Sequence, residues 1–171
     1  MELRSEILKE HSKVQCNRIV KWVGSSQPRF DALFKLFLHD EYRVVQRAAW
    51  PVSYCVIAHP KFIEKHWGKL VKNLANPDLP DAVKRNAVRF LQDIEIPEKY
   101  HGKILNICFG FLESPSEPLA VKAFSMSVLG NLAKYYPGII PELKLIVEDQ
   151  VPHQSIGFKT RARKVFKQIG L

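Results

Sequence analysis

A helical pattern returns four times along this chain at a nearly constant spacing. The segments VQRAAWPVSYCV (45–56), VKRNAVRFLQDI (83–94), VKAFSMSVLGNL (121–132) and FKTRARKVFKQI (158–169) begin 38, 38 and 37 residues apart. Counted from each first residue, positions 4, 7, 8 and 11 are nearly always apolar, which is the period of one face of an α-helix. A single match could arise by chance, but four at a fixed period predict a repeat architecture.

A second amphipathic helix precedes each of these segments. RFDALFKLFL, FIEKHWGKLVKNL, KILNICFGFL and IIPELKLIV each place their apolar residues on one helical stripe. Prolines stand near the starts of these helices, where the missing N–H costs little; they are Pro28, Pro60, Pro97 and Pro137. No alternating pattern bounded by hairpin turns occurs, so the sequence predicts helix pairs without a strand.

In its period and in its turn residues, the repeat resembles the HEAT-repeat family. In that family an Asp in the turn is followed five positions later by Val and a cation. The corresponding residues here are Asp40 with Val45 and Gln46, Asp78 with Val83 and Lys84, Ser116 with Val121 and Lys122, and His153 with Phe158 and Lys159. The resemblance implies an all-α fold, a right-handed α-α superhelix (α-solenoid), in which Asp and cation form a ladder between repeats.

A length of 171 residues suits one domain. We expect a single HEAT-like domain over 1–171, built of repeats at approximately 28–59, 60–96, 97–136 and 137–171. Residues 2–23 are predicted to form one additional helix. Because that helix falls outside the 38-residue register, it is interpreted as a terminal cap on the solenoid.

The second helix of each pair lines the concave surface in the family that this chain resembles. At 100° per residue, the face opposite the apolar stripe holds positions 2, 6 and 9. In the third repeat these are the small residues Ala123, Ser127 and Gly130. Elsewhere they are largely cationic, and an ordinary solvated face is the alternative interpretation. With Arg161 from the basic C-terminal stretch, the candidate binding residues are Arg47, Tyr54, Arg85, Arg89, Gln92, Arg161, Lys164 and Lys167.

The charge balance favours an acidic partner. The chain has 26 Lys and Arg against 17 Asp and Glu, a net charge of +9. We therefore predict a non-enzymatic scaffold that recognises an acidic protein or peptide on a basic concave face. The alternative is a nucleic-acid-binding module that contacts the phosphate backbone. The first is favoured because Tyr54 is the one aromatic residue on that face, whereas Trp50 is interpreted as packing between repeats.

Sequence motifs for catalysis or metal binding are missing. No nucleotide-binding, hydrolase or metalloprotease motif occurs, so neither enzymatic activity nor a cofactor is expected. His59 and His66 have Pro60 between them and no carboxylate at zinc spacing, which argues against a metal. HEAT-like DNA glycosylases place Asp four residues after a Trp. Trp22, Trp50 and Trp67 are instead followed at that spacing by Ser26, Tyr54 and Val71, so glycosylase activity is disfavoured.

The three cysteines are widely spaced and form no CxxC pair, which is typical of a reduced intracellular protein. The N-terminal segment lacks the apolar run of a signal peptide, and no apolar stretch is long enough to span a bilayer. We expect a cytoplasmic protein without membrane insertion. The oligomeric state is left open by the sequence.

Overall fold

A computed structural model describes residues 1–171, and it consists of helices joined by short turns, with no strand. This confirms the predicted all-α class and the absence of sheet. Short 3-10 helices lie at Pro60–His66, Pro137–Ile139 and Val151–His153. The α-helices are α1 (Leu3–Lys9), α2 (Lys13–Val23), α3 (Gln27–Leu38), α4 (Tyr42–Ala58), α5 (Trp67–Leu74), α6 (Asp81–Leu91), α7 (Glu98–Glu113), α8 (Leu119–Leu132), α9 (Ile140–Gln150) and α10 (Ile156–Gln168).

The chain divides into two compact units, residues 1–94 and residues 95–171. In the first unit α3 pairs with α4, and α4 packs against α6. In the second unit α7 pairs with α8, and α8 packs against α10. Within each unit a helix pair therefore packs on the next helix in sequence order, as in an α-solenoid. The repeat boundaries and the single domain remain predictions.

An aromatic cluster fills the core of the first unit. Phe30, Phe34 and Phe37 are fully buried on α3, as their spacing predicts. The Phe30 ring stacks on Phe62 with centroids 4.8 Å apart, so the 3-10 helix is tied to α3. Burying one such side chain contributes about 1.5–3 kcal/mol. In the second unit the buried stripe of α7 contains no aromatic side chain and consists of Ile104, Cys108 and Leu112, while α10 contributes the fully buried Phe158.

The N-terminal segment differs from its prediction, because the single helix expected over 2–23 is broken. Ser12 adopts an extended backbone and accepts the N–H of Gln15 at 3.1 Å, which starts α2 afresh. Such a cap competes with continuation of the helix. Gln15 also donates to the backbone oxygen of Glu6 at 2.6 Å, holding α2 against α1. Both helices pack on α4, so the cap is a helix pair rather than one helix.

The ladder implied by the family resemblance takes a different form in two repeats. The carboxylate of Asp40 pairs with the guanidinium of Arg4 at 2.9 Å, on α1. Gln46 stands where a cation is expected and has no charge to offer. The buried ammonium of Lys122 donates to Gln150 Oε1 at 2.8 Å, and Gln150 Nε2 donates to the backbone oxygen of Leu112 at 2.8 Å. The amide of Gln150, rather than a carboxylate, therefore links Lys122 of α8 to α9 and to α7.

Gly130 marks a close approach between α8 and α10. A Cβ at this position would lie 2.8 Å from Val165 Cγ1, shorter than ordinary packing distances. Glycine thus lets the two helices approach closely.

The three cysteine side chains are all buried. Burial raises the pKa of each cysteine thiol to about 12. All three tryptophans lie in residues 1–94. No helix is both long and apolar enough to cross a bilayer.

Candidate functional site

The helices that were expected to carry the binding surface are depleted of acidic residues. Helices α4, α6, α8 and α10 contain one carboxylate, that of Asp81 in the first turn of α6. An acidic side chain at that place suits the helix dipole. Helix α9 by contrast contains Glu142, Glu148 and Asp149. Negative charge is thus segregated away from the second helices of the pairs.

In the first unit, α4 and α6 together present a surface that we call the α4–α6 face, defined by Trp50, Tyr54, Arg85 and Arg89. The guanidinium carbon of Arg89 lies 4.8 Å from the centroid of the Tyr54 ring, within the range of a cation–π contact. Hydrogen bonds with the side chains of Trp50 and Arg89 lower the pKa of Tyr54. Two of the predicted site residues, Tyr54 and Arg89, are therefore in contact.

Arg85 lies one helical turn before Arg89 on α6 and is exposed. No carboxylate lies within 4.0 Å of either guanidinium. Like charges at this spacing weaken a helix slightly, so the pair is electrostatically uncompensated. Gln92 follows at the C-cap of α6 and is half-buried.

Arg47 is placed differently from the other predicted residues of the first unit. Its Nη1 donates to the backbone oxygen of Leu8 at 2.8 Å. That carbonyl belongs to the last turn of α1, where no intrahelical donor reaches it. This hydrogen bond stabilises the contact between α4 and α1. A role of Arg47 in binding remains a prediction.

Two aromatic side chains extend the α4–α6 face beyond the residues expected from sequence. The ring centroids of Trp50 and Tyr54 are 6.2 Å apart, and those of His11 and Trp50 are 5.9 Å apart. The sequence interpretation assigned Trp50 to packing between repeats; its half-buried ring lies beside both His11 of the N-terminal segment and Tyr54, so the packing role stays a prediction alongside the exposed surface. Their spacing of four residues on one helix is a signal that would have found the pair. His11 had no such signal, because it lies in the break between α1 and α2.

In the second unit the predicted cations have unequal surroundings. Arg161 lies 5.5 Å from the Phe124 ring centroid and donates to Ser127 Oγ at 2.8 Å, so it bridges α10 to α8. Lys164 and Lys167 are exposed on α10.

Two of the small residues that the sequence placed on the concave surface of the third repeat are covered by another helix, which corrects that prediction. Ser127 and Gly130 are buried. Helix α10 lies against this side of α8, with Arg161 bonded to Ser127 and Val165 close to Gly130. The helical angle identified the side that faces away from α7, but this side receives the next helix.

No group of three or more His, Cys, Asp or Glu side chains is arranged to hold a metal ion. The sequence of residues 3–169 matches a family model described as HEAT repeat domain. No curated protein sequence matches the chain significantly.

Proposed function

Because the chain belongs to the HEAT repeat domain family, we propose that it is a binding scaffold whose α4–α6 face recognises an acidic segment of another protein. HEAT repeats generally serve as non-catalytic protein-interaction scaffolds. The finer assignment, to an acidic partner and to this face, rests on the charges and rings of the first unit.

The observation that carries the proposal is the pairing of uncompensated arginines with aromatic rings. Arg89 is oriented by the Tyr54 ring at 4.8 Å and has no carboxylate partner, and Arg85 stands beside it. A guanidinium that stacks on a ring keeps N–H donors at its edge for a carboxylate. Two such groups one turn apart are suited to an Asp- or Glu-containing peptide.

The aromatic side chains supply the second element of a protein interface. Trp, Tyr and Arg are the residues that contribute most often to binding energy at protein contacts. On the α4–α6 face Trp50 and Tyr54 lie next to Arg89. A partner with an apolar side chain beside its carboxylates would therefore contact both kinds of group. This combination supports a peptide over a purely ionic ligand.

A single-stranded nucleic acid is the second candidate, and the ring positions favour it more than the sequence did. Bases stack on aromatic side chains, and a row of His11, Trp50 and Tyr54 lies beside Arg89. Neutralising two phosphates on a single strand would give a log–log salt slope of about −1.4. The two candidates therefore differ in their response to salt.

Fluorescence anisotropy with two probes tests the proposal: a labelled peptide of alternating Glu and Leu, and a labelled oligothymidylate. We expect the peptide to bind and the double variant Arg85→Glu, Arg89→Glu to weaken it by at least about tenfold, which is 1.4 kcal/mol. The matched control, Lys61→Glu with Lys103→Glu, makes the same charge change at exposed lysines that are not among the residues defining the face. It should leave peptide affinity unchanged.

Three results would count against the proposal. Equal losses in both double variants would show that only net charge matters. Tighter binding of the oligonucleotide with the salt slope above would establish the nucleic-acid alternative. Absence of peptide binding even at low salt would remove the α4–α6 face as an acidic-peptide site.

A further inference from the structure

A groove between α3 and α5, in the first unit, is separate from the α4–α6 face. Its volume is about 830 Å³, within the range of small-molecule sites. Lysines enter it from both sides, with Lys35 on α3 and Lys69 and Lys72 on α5. Lys65, from the 3-10 helix, and His39 complete the cationic lining.

The single carboxylate in this groove, that of Asp31, is already occupied. Its Oδ2 accepts from Lys65 Nζ at 2.5 Å, and its Oδ1 accepts from His66 Nε2 at 2.7 Å and from Gln27 Nε2 at 2.8 Å. Burial opposes ionisation, but these three hydrogen bonds outweigh it and hold the pKa of Asp31 at about 2. Asp31 therefore remains charged, and it compensates Lys65 rather than the other lysines.

Three lysines are left without a counter-charge. No carboxylate lies within 4.0 Å of Lys35, Lys69 or Lys72. Lys69 and Lys72 are three residues apart on α5 and share one side of that helix, where like charges repel. An anion between them and Lys35 would relieve this repulsion.

The remaining lining includes a buried amide and a partly exposed apolar side chain. Asn73 Nδ2 is buried in the wall with no acceptor, and leaving such a donor unpaired is unfavourable. The apolar surface of the groove comes from Leu38, which is half-buried, whereas the ring of Phe34 is almost wholly buried, with its centroid 4.5 Å from that of His66. The groove therefore combines lysine donors with an apolar edge at Leu38.

We propose that this groove binds a small soluble molecule with adjacent phosphate groups and an apolar ring, as in a nucleoside diphosphate. Phosphate oxygens accept hydrogen bonds, and the lysine side chains that line the groove donate them. A peptide would bring N–H donors of its own, but the carboxylate oxygens of Asp31 already accept from Gln27, Lys65 and His66. The phosphates lie between Lys35 and the Lys69–Lys72 side, and the ring lies against Leu38.

Isothermal titration calorimetry and thermal unfolding of the full chain test this assignment with ADP, inorganic pyrophosphate and adenosine. We expect ADP and pyrophosphate to bind and to raise the Tm, with ADP the tighter ligand, and adenosine to do neither. Lys69→Ala with Lys72→Ala should abolish both responses, whereas Arg85→Ala with Arg89→Ala should preserve them. Leu38→Ser should weaken ADP and leave pyrophosphate unchanged, since it alters only the apolar edge.

Several outcomes would overturn the assignment. Absence of binding by ADP and pyrophosphate at millimolar concentration would do so, as would equal losses in the two double variants. If the ratio of the ADP and pyrophosphate affinities were the same in Leu38→Ser as in the wild type, the apolar subsite would be refuted. Co-sedimentation with phosphatidylcholine vesicles containing phosphatidic acid, without ADP binding, would place the phosphates on a lipid surface instead. None of these results bears on peptide binding at the α4–α6 face, which is tested separately.

Discussion

Replacing Gly130 by Ala tests the packing of α8 against α10. In a helix this substitution alone would stabilise by about 1 kcal/mol. At Gly130, however, the new Cβ would lie 2.8 Å from Val165 Cγ1, and Val165 is buried. Overpacking of this kind costs about 1–3 kcal/mol. Once the gain in helix propensity is subtracted from this cost, we expect Gly130→Ala to lower the free energy of unfolding by up to about 2 kcal/mol.

Two comparisons isolate the clash from the helix propensity. Gly110 lies on α7 with nothing within 4 Å of a Cβ, so Gly110→Ala should stabilise by about 0.5–1 kcal/mol. In a Val165→Ala background the clashing methyl group is gone, and Gly130→Ala should become stabilising as well. The double-mutant cycle should then give a coupling of at least about 1 kcal/mol.

Urea denaturation followed by far-UV circular dichroism measures all five proteins, because the helical signal includes α8 and α10. Stabilisation by Gly130→Ala equal to that by Gly110→Ala would refute the close approach. Zero coupling with Val165→Ala would show that the strain, if present, has another source.

Two further predictions concern groups whose pKa is shifted in the folded protein. The pKa of each thiol is raised to about 12, so about one thiol in ten thousand is ionised at pH 8. The folded protein should therefore resist Ellman's reagent at that pH, and all three thiols should react in urea. Fast labelling of the native protein would contradict the burial. The pKa of Asp31 is lowered from 3.8 to about 2 in the folded protein. At pH values above the pKa of the unfolded chain, ionised Asp31 therefore stabilises the fold by about 2 kcal/mol. This contribution is lost as the pH falls from about 4 through about 2. The difference in unfolding free energy between the wild type and Asp31→Asn should shrink over that interval, and a constant difference would argue against the Asp31 hydrogen bonds.

The helix pairs were predictable because their signal is local. Phe30, Leu33, Phe34 and Phe37 are all buried, as the helical period requires of one stripe. The break before α2 was missed because the apolar pattern carries on across it, while the decisive contact is a single cap from Ser12. Local caps of this kind are weakly marked in sequence, since serine occurs in many settings.

The candidate site was predictable only in part. The helical angle placed Arg85 and Arg89 away from the core of α6, and both retain exposed surface. The same angle failed at Ser127 and Gly130, because it describes one helix and contains no information on where α10 lies. Which face of a helix receives its neighbour is settled by tertiary packing. The groove between α3 and α5 could not be predicted for the same reason, since its lysines come from separate elements.

The confinement of every tryptophan to residues 1–94 gives the protein an internal optical label. Tryptophan emission reports on the first unit alone, whereas circular dichroism reports on the helices of both units. Recording both signals through one denaturation shows whether the two units unfold in the same step. Trp50 is also adjacent to Tyr54 on the α4–α6 face, so a ligand that docks there should change the emission spectrum without any attached dye.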